Sequence, residues 1–321
     1  MTEQSAPLRD LVGSVADGMK DAPAEALWDQ LVELGLHRIG VSEEAGGSGG
    51  ELADLLVVVR ALAERGAATP LVEAATADWV LAGCGKLDGT LTTLLLRDDT
   101  GAGRELVLPR VPWGRSAGAV LVCTPGGLFR ADLAGAGVEP GEDLAGEPRD
   151  TVTLVAAPEP LTTGSAFSPE AVRERIALLR SVAVTGAAHG AYRLTRQYVA
   201  EREQFGAPLL KLPAVMRQLA LARIALAEAD TALSLAGTTP EGIAVAALTT
   251  SRTATEVARI AHQLHGAVGI TAEYPLHPLT RRLWAWRDAV APASGWAREL
   301  GARAAEAGEE GIWTALAAPG L

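Results

Sequence analysis

The chain has 321 residues, 48% of them hydrophobic, and a formal net charge of −11. That length exceeds what one hydrophobic core ordinarily organises, so more than one domain is expected. Acidic charge spread along the chain argues against nucleic-acid binding through phosphate neutralisation, and no apolar run nears the ~20 residues that span a bilayer. Met1 to Arg9 lack a basic stretch followed by an apolar one, so a cytoplasmic protein without a membrane partner is expected. Cys84 and Cys123 sit outside any CxxC and away from a histidine set. They read as small buried hydrophobes, with no disulfide framework and no metal site.

In chain order, Asp21 to Val32 places Leu27, Leu31 and Leu34 at helical spacing, and Gly35 is a helix-terminating glycine. The glycine-rich stretch from Val41 to Gly50 reads as a loop, followed by a helix over Glu51 to about Arg65 and helical character through Ala74 to Leu81. From Thr90 short apolar runs split by Gly, Pro and Asp (91–96, 106–108, 119–123, 127–130, 150–155) predict a small β domain. A Pro/Thr/Ser-rich linker, Pro158 to Ser168, then meets Ser168-Pro169, an N-cap with proline at the first helical position. Beyond it three apolar stripes at helical spacing follow: Val172, Ile176, Leu179, Ala183, Gly186, Gly190, Leu194; then Leu212, Val215, Leu219, Ala222, Leu226; then Ile243, Ala247, Val257, Ile260, Leu264. Antiparallel helices with such stripes bury them in a bundle. The expected fold is α+β and mostly α: an N-terminal helical domain (1–89), a reduced middle β domain (90–160) and a C-terminal helical bundle (161–321).

Two bundle segments, Arg202-Glu203-Gln204-Phe205-Gly206 and Gln263-Leu264-His265-Gly266-Ala267-Val268-Gly269 through Glu273-Tyr274-Pro275, resemble signature segments of acyl-CoA dehydrogenases in order and separation. Leu27-Trp28 through Glu43-Glu44-Ala45-Gly46-Gly47-Ser48-Gly49 resembles the opening of the same family, with Ser42 where proline is usual. The chemistry suits an anionic cofactor, since arginine offers a planar fork of donors and glycine lets backbone approach a ligand. The resemblance implies FAD shared with a neighbouring subunit, contacted by Arg202, Gln204, Phe205, Gln263, Leu264, His265, Gly266 and Ala267. The competing reading pairs Arg202 with a surface carboxylate, puts Phe205 in the core and leaves Gly266 a helix terminator; His262 and His265 are read equally well as satisfied polar groups.

Desaturating an acyl-CoA needs a base at the α-proton, which in this family is a carboxylate. The family spacing places that base at Val290 or, in its branched-chain and long-chain members, at Ile176, and neither side chain accepts a proton. Glu174 is expected to face away from Ile176 as a solvated charge, and Asp288 to pair with Arg287 or Arg282. The loop and tryptophan strand that embrace the flavin ring in full-length members are missing from residues 80–160, Trp113 reads as sheet packing, and Pro213 stands where a flavin-binding glutamine is frequent. This pattern resembles the short, base-less subunit of the actinobacterial α2β2 acyl-CoA dehydrogenases associated with steroid side-chain β-oxidation. It implies an oxidoreductase only within a complex, with a catalytic acyl-CoA dehydrogenase subunit as partner and a bulky acyl-CoA as the complex's substrate. The alternatives are a self-sufficient homomeric flavoenzyme with an unusual base such as Asp288, and a flavin-free structural protein. Trp284, Trp286 and Trp296 are read as interface anchors or as bundle core.

Overall fold

The computed structural model describes residues 6–20, 22–99, 106–204, 206–271 and 273–317. They form two compact units, one of residues 1–62 and 67–179 and the other of 63–66 and 180–321. Mostly helical structure with small sheets gives the α+β class that the sequence predicts.

The first unit opens with α1 (Ala6–Gly18), which the sequence reading did not anticipate; it buries only Val12, Gly13 and Ala16. In α2 (Ala24–Glu33) Leu27 and Leu31 are buried as expected, whereas Leu34 falls at the C-cap and stays exposed because the helix has already ended. Gly35 adopts φ +69°, a left-handed conformation that ends the helix without a Cβ penalty. After α3 (Leu52–Ala63), α4 (Leu71–Gly83) is buried on nearly every side. Its polar residues are therefore partnered: Asp78 receives Nε of Arg38 at 3.2 Å and Thr76 donates to Val72 O at 2.8 Å. Burial outweighs the Arg38 guanidinium and pushes the Asp78 carboxyl up to about 6.

Strands β1 (Thr92–Leu96), β2 (Val107–Pro112), β3 (Ala119–Thr124) and β4 (Gly127–Asp132) coincide with predicted apolar runs. The fully exposed β5 (Gly137–Glu139) gave no apolar signal, β6 (Arg149–Thr153) did, and β7 (Glu159–Pro160) lies inside the predicted linker. They make a sheet ordered β1-β3-β4-β7, with β1 and β3 parallel, and a sheet ordered β2-β6-β5. Leu95, Leu108, Val111, Val120, Val122 and Val152 share one core. Fully buried Asp150 braces it, accepting from the Arg115 guanidinium at 2.6 Å and from backbone N–H groups of Arg115 and Gly141. Trp113 is 2% exposed and packs this region, as read from the sequence. Cys123 is buried, whereas Cys84 is half-exposed just past α4, a correction to its reading as core.

Helix α5 (Pro169–Glu201) starts where Ser168 accepts from Ala171 N–H at 3.2 Å, the predicted cap. A two-strand hairpin, β8 (Glu203–Gln204) and β9 (Ala207–Pro208), leads to α6 (Pro213–Ala236), which packs along α7 (Pro240–His265). Helices α8 (Leu276–Arg287) and α9 (Ala293–Ala317) pack on α7. The predicted stripes are buried, except that Leu194, Leu212 and Leu264 at their ends are half-buried. Trp286 and Trp296 are core residues, and half-buried Trp284 lies under the Arg287 guanidinium at 4.7 Å, so the anchor reading does not hold for the first two. Within α9, Gly308 takes non-helical angles (φ 67°, ψ 177°).

Candidate cofactor-binding site

Two helix ends build the site. Tyr198, in the last turn of α5, stacks on His265, in the last turn of α7, with ring centroids 4.4 Å apart and planes at 22°. Tyr274 closes on the same imidazole at 5.0 Å. This aromatic sandwich holds the two segments together, and sequence reasoning missed Tyr198 as its member. The signal was available: Tyr198 lies one helical turn before Arg202.

Arg202 directly follows α5, its N–H donating to Tyr198 O at 2.8 Å while its carbonyl accepts from Leu209 N–H. Its side chain is exposed, and among the described residues no ion pair or hydrogen bond engages the guanidinium. The competing reading, a bond to a surface carboxylate, therefore has no counterpart there. Gln204 and Gln263 are exposed, as are Gly266 and Ala267, which begin the short 3-10 segment Gly266–Ile270. Gly266 has φ 61°, and a Cβ built on it meets nothing within 4 Å, so its backbone faces open space. The half-buried Leu264 side chain packs against Val199, Val215 and Leu219. Phe205 lies outside the described residues.

His265 is 3% exposed. Its Nδ1 lies 2.8 Å from Ala261 O, an obligate acceptor, so Nδ1 carries the proton and Nε2 is a bare acceptor. That Nε2 is buried and meets no donor. Burial is the main cause that lowers the His265 pKa, which keeps the ring neutral. His262 pairs through Nε2 with the Thr280 hydroxyl at 3.0 Å, and burial lowers its pKa too. An exposed free guanidinium, exposed amides and an open glycine backbone together fit a polyanionic ligand with polar hydroxyl or amino groups.

Neither position at which the family resemblance implies a base carries a titratable group. Ile176 is 4% exposed on α5, and Val290 is half-buried in the turn after α8. Asp288 accepts from the Arg287 guanidinium at 2.5 Å, and Arg287 also donates to the Thr255 hydroxyl, which is the ion pair expected. Glu174 departs from expectation: it is half-buried and engaged by a neighbour instead of freely solvated. Among the described residues no three His, Cys, Asp or Glu side chains cluster to hold a metal, and no helix is long and apolar enough to cross a membrane.

The helical opening, the central strands and the bundle define an acyl-CoA dehydrogenase: residues 9–86 match the N-terminal domain of that family and 171–287 its C-terminal domain, and the chain belongs to it. The family is one of FAD-dependent oxidoreductases. Among relatives, acyl-CoA dehydrogenase IpdE2 of Mycobacterium tuberculosis is 30% identical over 265 residues, 80% of either chain. Among solved structures, a chain of the ChsE4–ChsE5 complex from Mycobacterium tuberculosis superposes with a TM-score of 0.85 at 22% identity, covering 95% of this chain and 98% of that one. A chain of the Tcur3481–Tcur3483 steroid ACAD gives 0.82 at 24% identity, with the same coverage.

Proposed function

We propose that this chain is the base-less subunit of a heteromeric, FAD-dependent acyl-CoA dehydrogenase that desaturates a bulky acyl-CoA of steroid origin. The observation that carries the reading is a division of roles. Both base positions are aliphatic, Ile176 and Val290, while the Arg202 guanidinium and the Gly266 backbone stand open to a ligand. The solved relatives named as protein pairs, one of them a steroid ACAD, favour the same arrangement.

In this reading FAD, held mostly by the partner, supplies the acceptor for the hydride leaving the substrate's β-carbon. This chain's part is binding. Arg202 neutralises pyrophosphate charge, and Gln204, Gln263 and the Gly266–Ala267 backbone offer hydrogen bonds to the ADP portion. Tyr198 and His265 keep the two helix ends in register. The proton is taken by a carboxylate of the catalytic partner, because neither position here accepts one. Asp288 makes a poor substitute, since its carboxylate is tied to Arg287. We also read the assembly as α2β2 and cytoplasmic, serving β-oxidation.

Co-expression with a catalytic acyl-CoA dehydrogenase subunit tests the proposal. The chain alone is expected to purify colourless and to give no dye-linked acyl-CoA oxidation, and the pair to be yellow and active. Turnover by the isolated chain overturns it.

A further inference from the structure

Two half-buried arginines of the first unit meet carboxylates: Arg38 meets Asp78, and Arg149 meets Asp143 at 3.3 Å. Arg175, near the start of α5, is different. It is half-buried, its Nε is shut off from solvent without a partner, and among the described residues no carboxylate, carbonyl or hydroxyl engages its guanidinium. Burial alone draws its pKa down to about 10, with no neighbouring charge to offset the loss of water. A partly desolvated cation whose Nε–H has no acceptor is unfavourable, and such groups ordinarily acquire a counter-ion.

What Arg175 does have is an aromatic wall. Its guanidinium carbon lies 4.6 Å from the Trp79 ring centroid, and Trp79 packs on Phe167 with centroids 4.8 Å apart at 55°. Phe167 is fixed in place by Gly83: a Cβ there would come within 1.9 Å of the ring, so only glycine at the end of α4 admits it. The cation–π contact with Trp79 engages the guanidinium without using a hydrogen-bond donor, and among the described residues no acceptor bonds its two terminal amino groups. The edge formed by those two groups is the part shaped for a bidentate oxyanion.

We propose that Arg175, Trp79 and Phe167 form a ligand site for an oxyanion carried on a small apolar body. The oxyanion bonds to the terminal amino edge of Arg175, and the apolar body lies against the two rings. A carboxylate and a phosphate share this chemistry. The site uses none of the residues assigned to the cofactor, so it stands or falls separately from the subunit reading.

Calorimetric titration of the full chain, with its partner where the two co-purify, tests it with benzoate, inorganic phosphate and uncharged benzyl alcohol as probes. Saturable binding of benzoate or phosphate but not of benzyl alcohol is expected, and which anion binds tighter identifies the source. Arg175→Gln should weaken that binding by at least about tenfold, as loss of a charge-assisted contact does. Arg175→Lys keeps the charge without the fork, should also bind more weakly, and replaces the glutamine variant if thermal melting shows that the latter does not fold. Absence of saturable binding by the wild type, or wild-type affinity in the folded Arg175 variants, overturns the site.

Discussion

Arg202 owes its interest to what it does not touch: an exposed guanidinium at a helix end, with no partner among the described residues, is available to a ligand at little desolvation cost. If it meets FAD in the assembled complex, the contact is worth about 1.5–3 kcal/mol, the range for hydrogen bonds to charged groups. Arg202→Ala should therefore lower flavin retained after dialysis while leaving the circular dichroism of the pair unchanged. Titrating residues give a second test, in which two effects run in opposite directions. Burial lowers the pKa values of His37, His262 and His265, so the unfolded chain binds these protons more tightly. Their contribution to stability is full above the ordinary histidine value of 6.5 and is lost as pH falls through the folded values. Asp78 is raised from 3.8 to about 6, so its contribution is present at low pH and is lost as pH rises across that window. Urea melts from pH 4 to pH 8 should show the acid-side loss reduced in His265→Phe, and the Asp78→Asn variant should lack the opposing slope.

At the scale of elements, the close approach of α5 to the segment 63–66 depends on Gly190, where a Cβ would lie 2.2 Å from the Glu64 carbonyl oxygen. Backbone does not yield as a flexible side chain does, so Gly190→Ala should destabilise the second unit by about 1–3 kcal/mol, read as a lowered thermal midpoint. The sequence made most elements legible. The Ser168-Pro169 start and the Gly35 stop rest on local chemistry that tertiary context seldom overrides, and both appear in the structure. Strands β1, β3 and β6 announced themselves by apolar runs facing a common core. Illegible were α1, which buries too little to leave a stripe, β5, which is exposed at every position, and β7, two residues at a sheet edge. The site was half legible. Its two segments could be read, but the Tyr198–His265 stack that joins them spans 67 positions of chain and exists only once α5 and α7 are packed in space.

For the whole molecule, α6 bears on the assembly. Its Leu221 and Ile224, one turn apart, are 38% and 55% exposed, and Leu235, three turns further along, is 48% exposed. If, as proposed above, the chain completes a cofactor site in a neighbour, it presents apolar surface to that neighbour, and this face is where the bundle is expected to meet it. The double substitution Leu221→Glu, Ile224→Glu should leave the chain folded yet abolish co-purification, measured by light scattering across a sizing column; an intact complex would place the interface elsewhere. One feature of α9 bears on handling the protein. At Gly308 the run of helical angles is interrupted, and the segment beyond it carries Trp313 at 63% exposure. The Gly308 angles break the helical hydrogen-bond ladder between the two parts of α9. Brief digestion with a low dose of a broad-specificity protease should clip first at this joint, releasing a short tryptophan-bearing peptide and leaving a trimmed chain whose bundle survives intact.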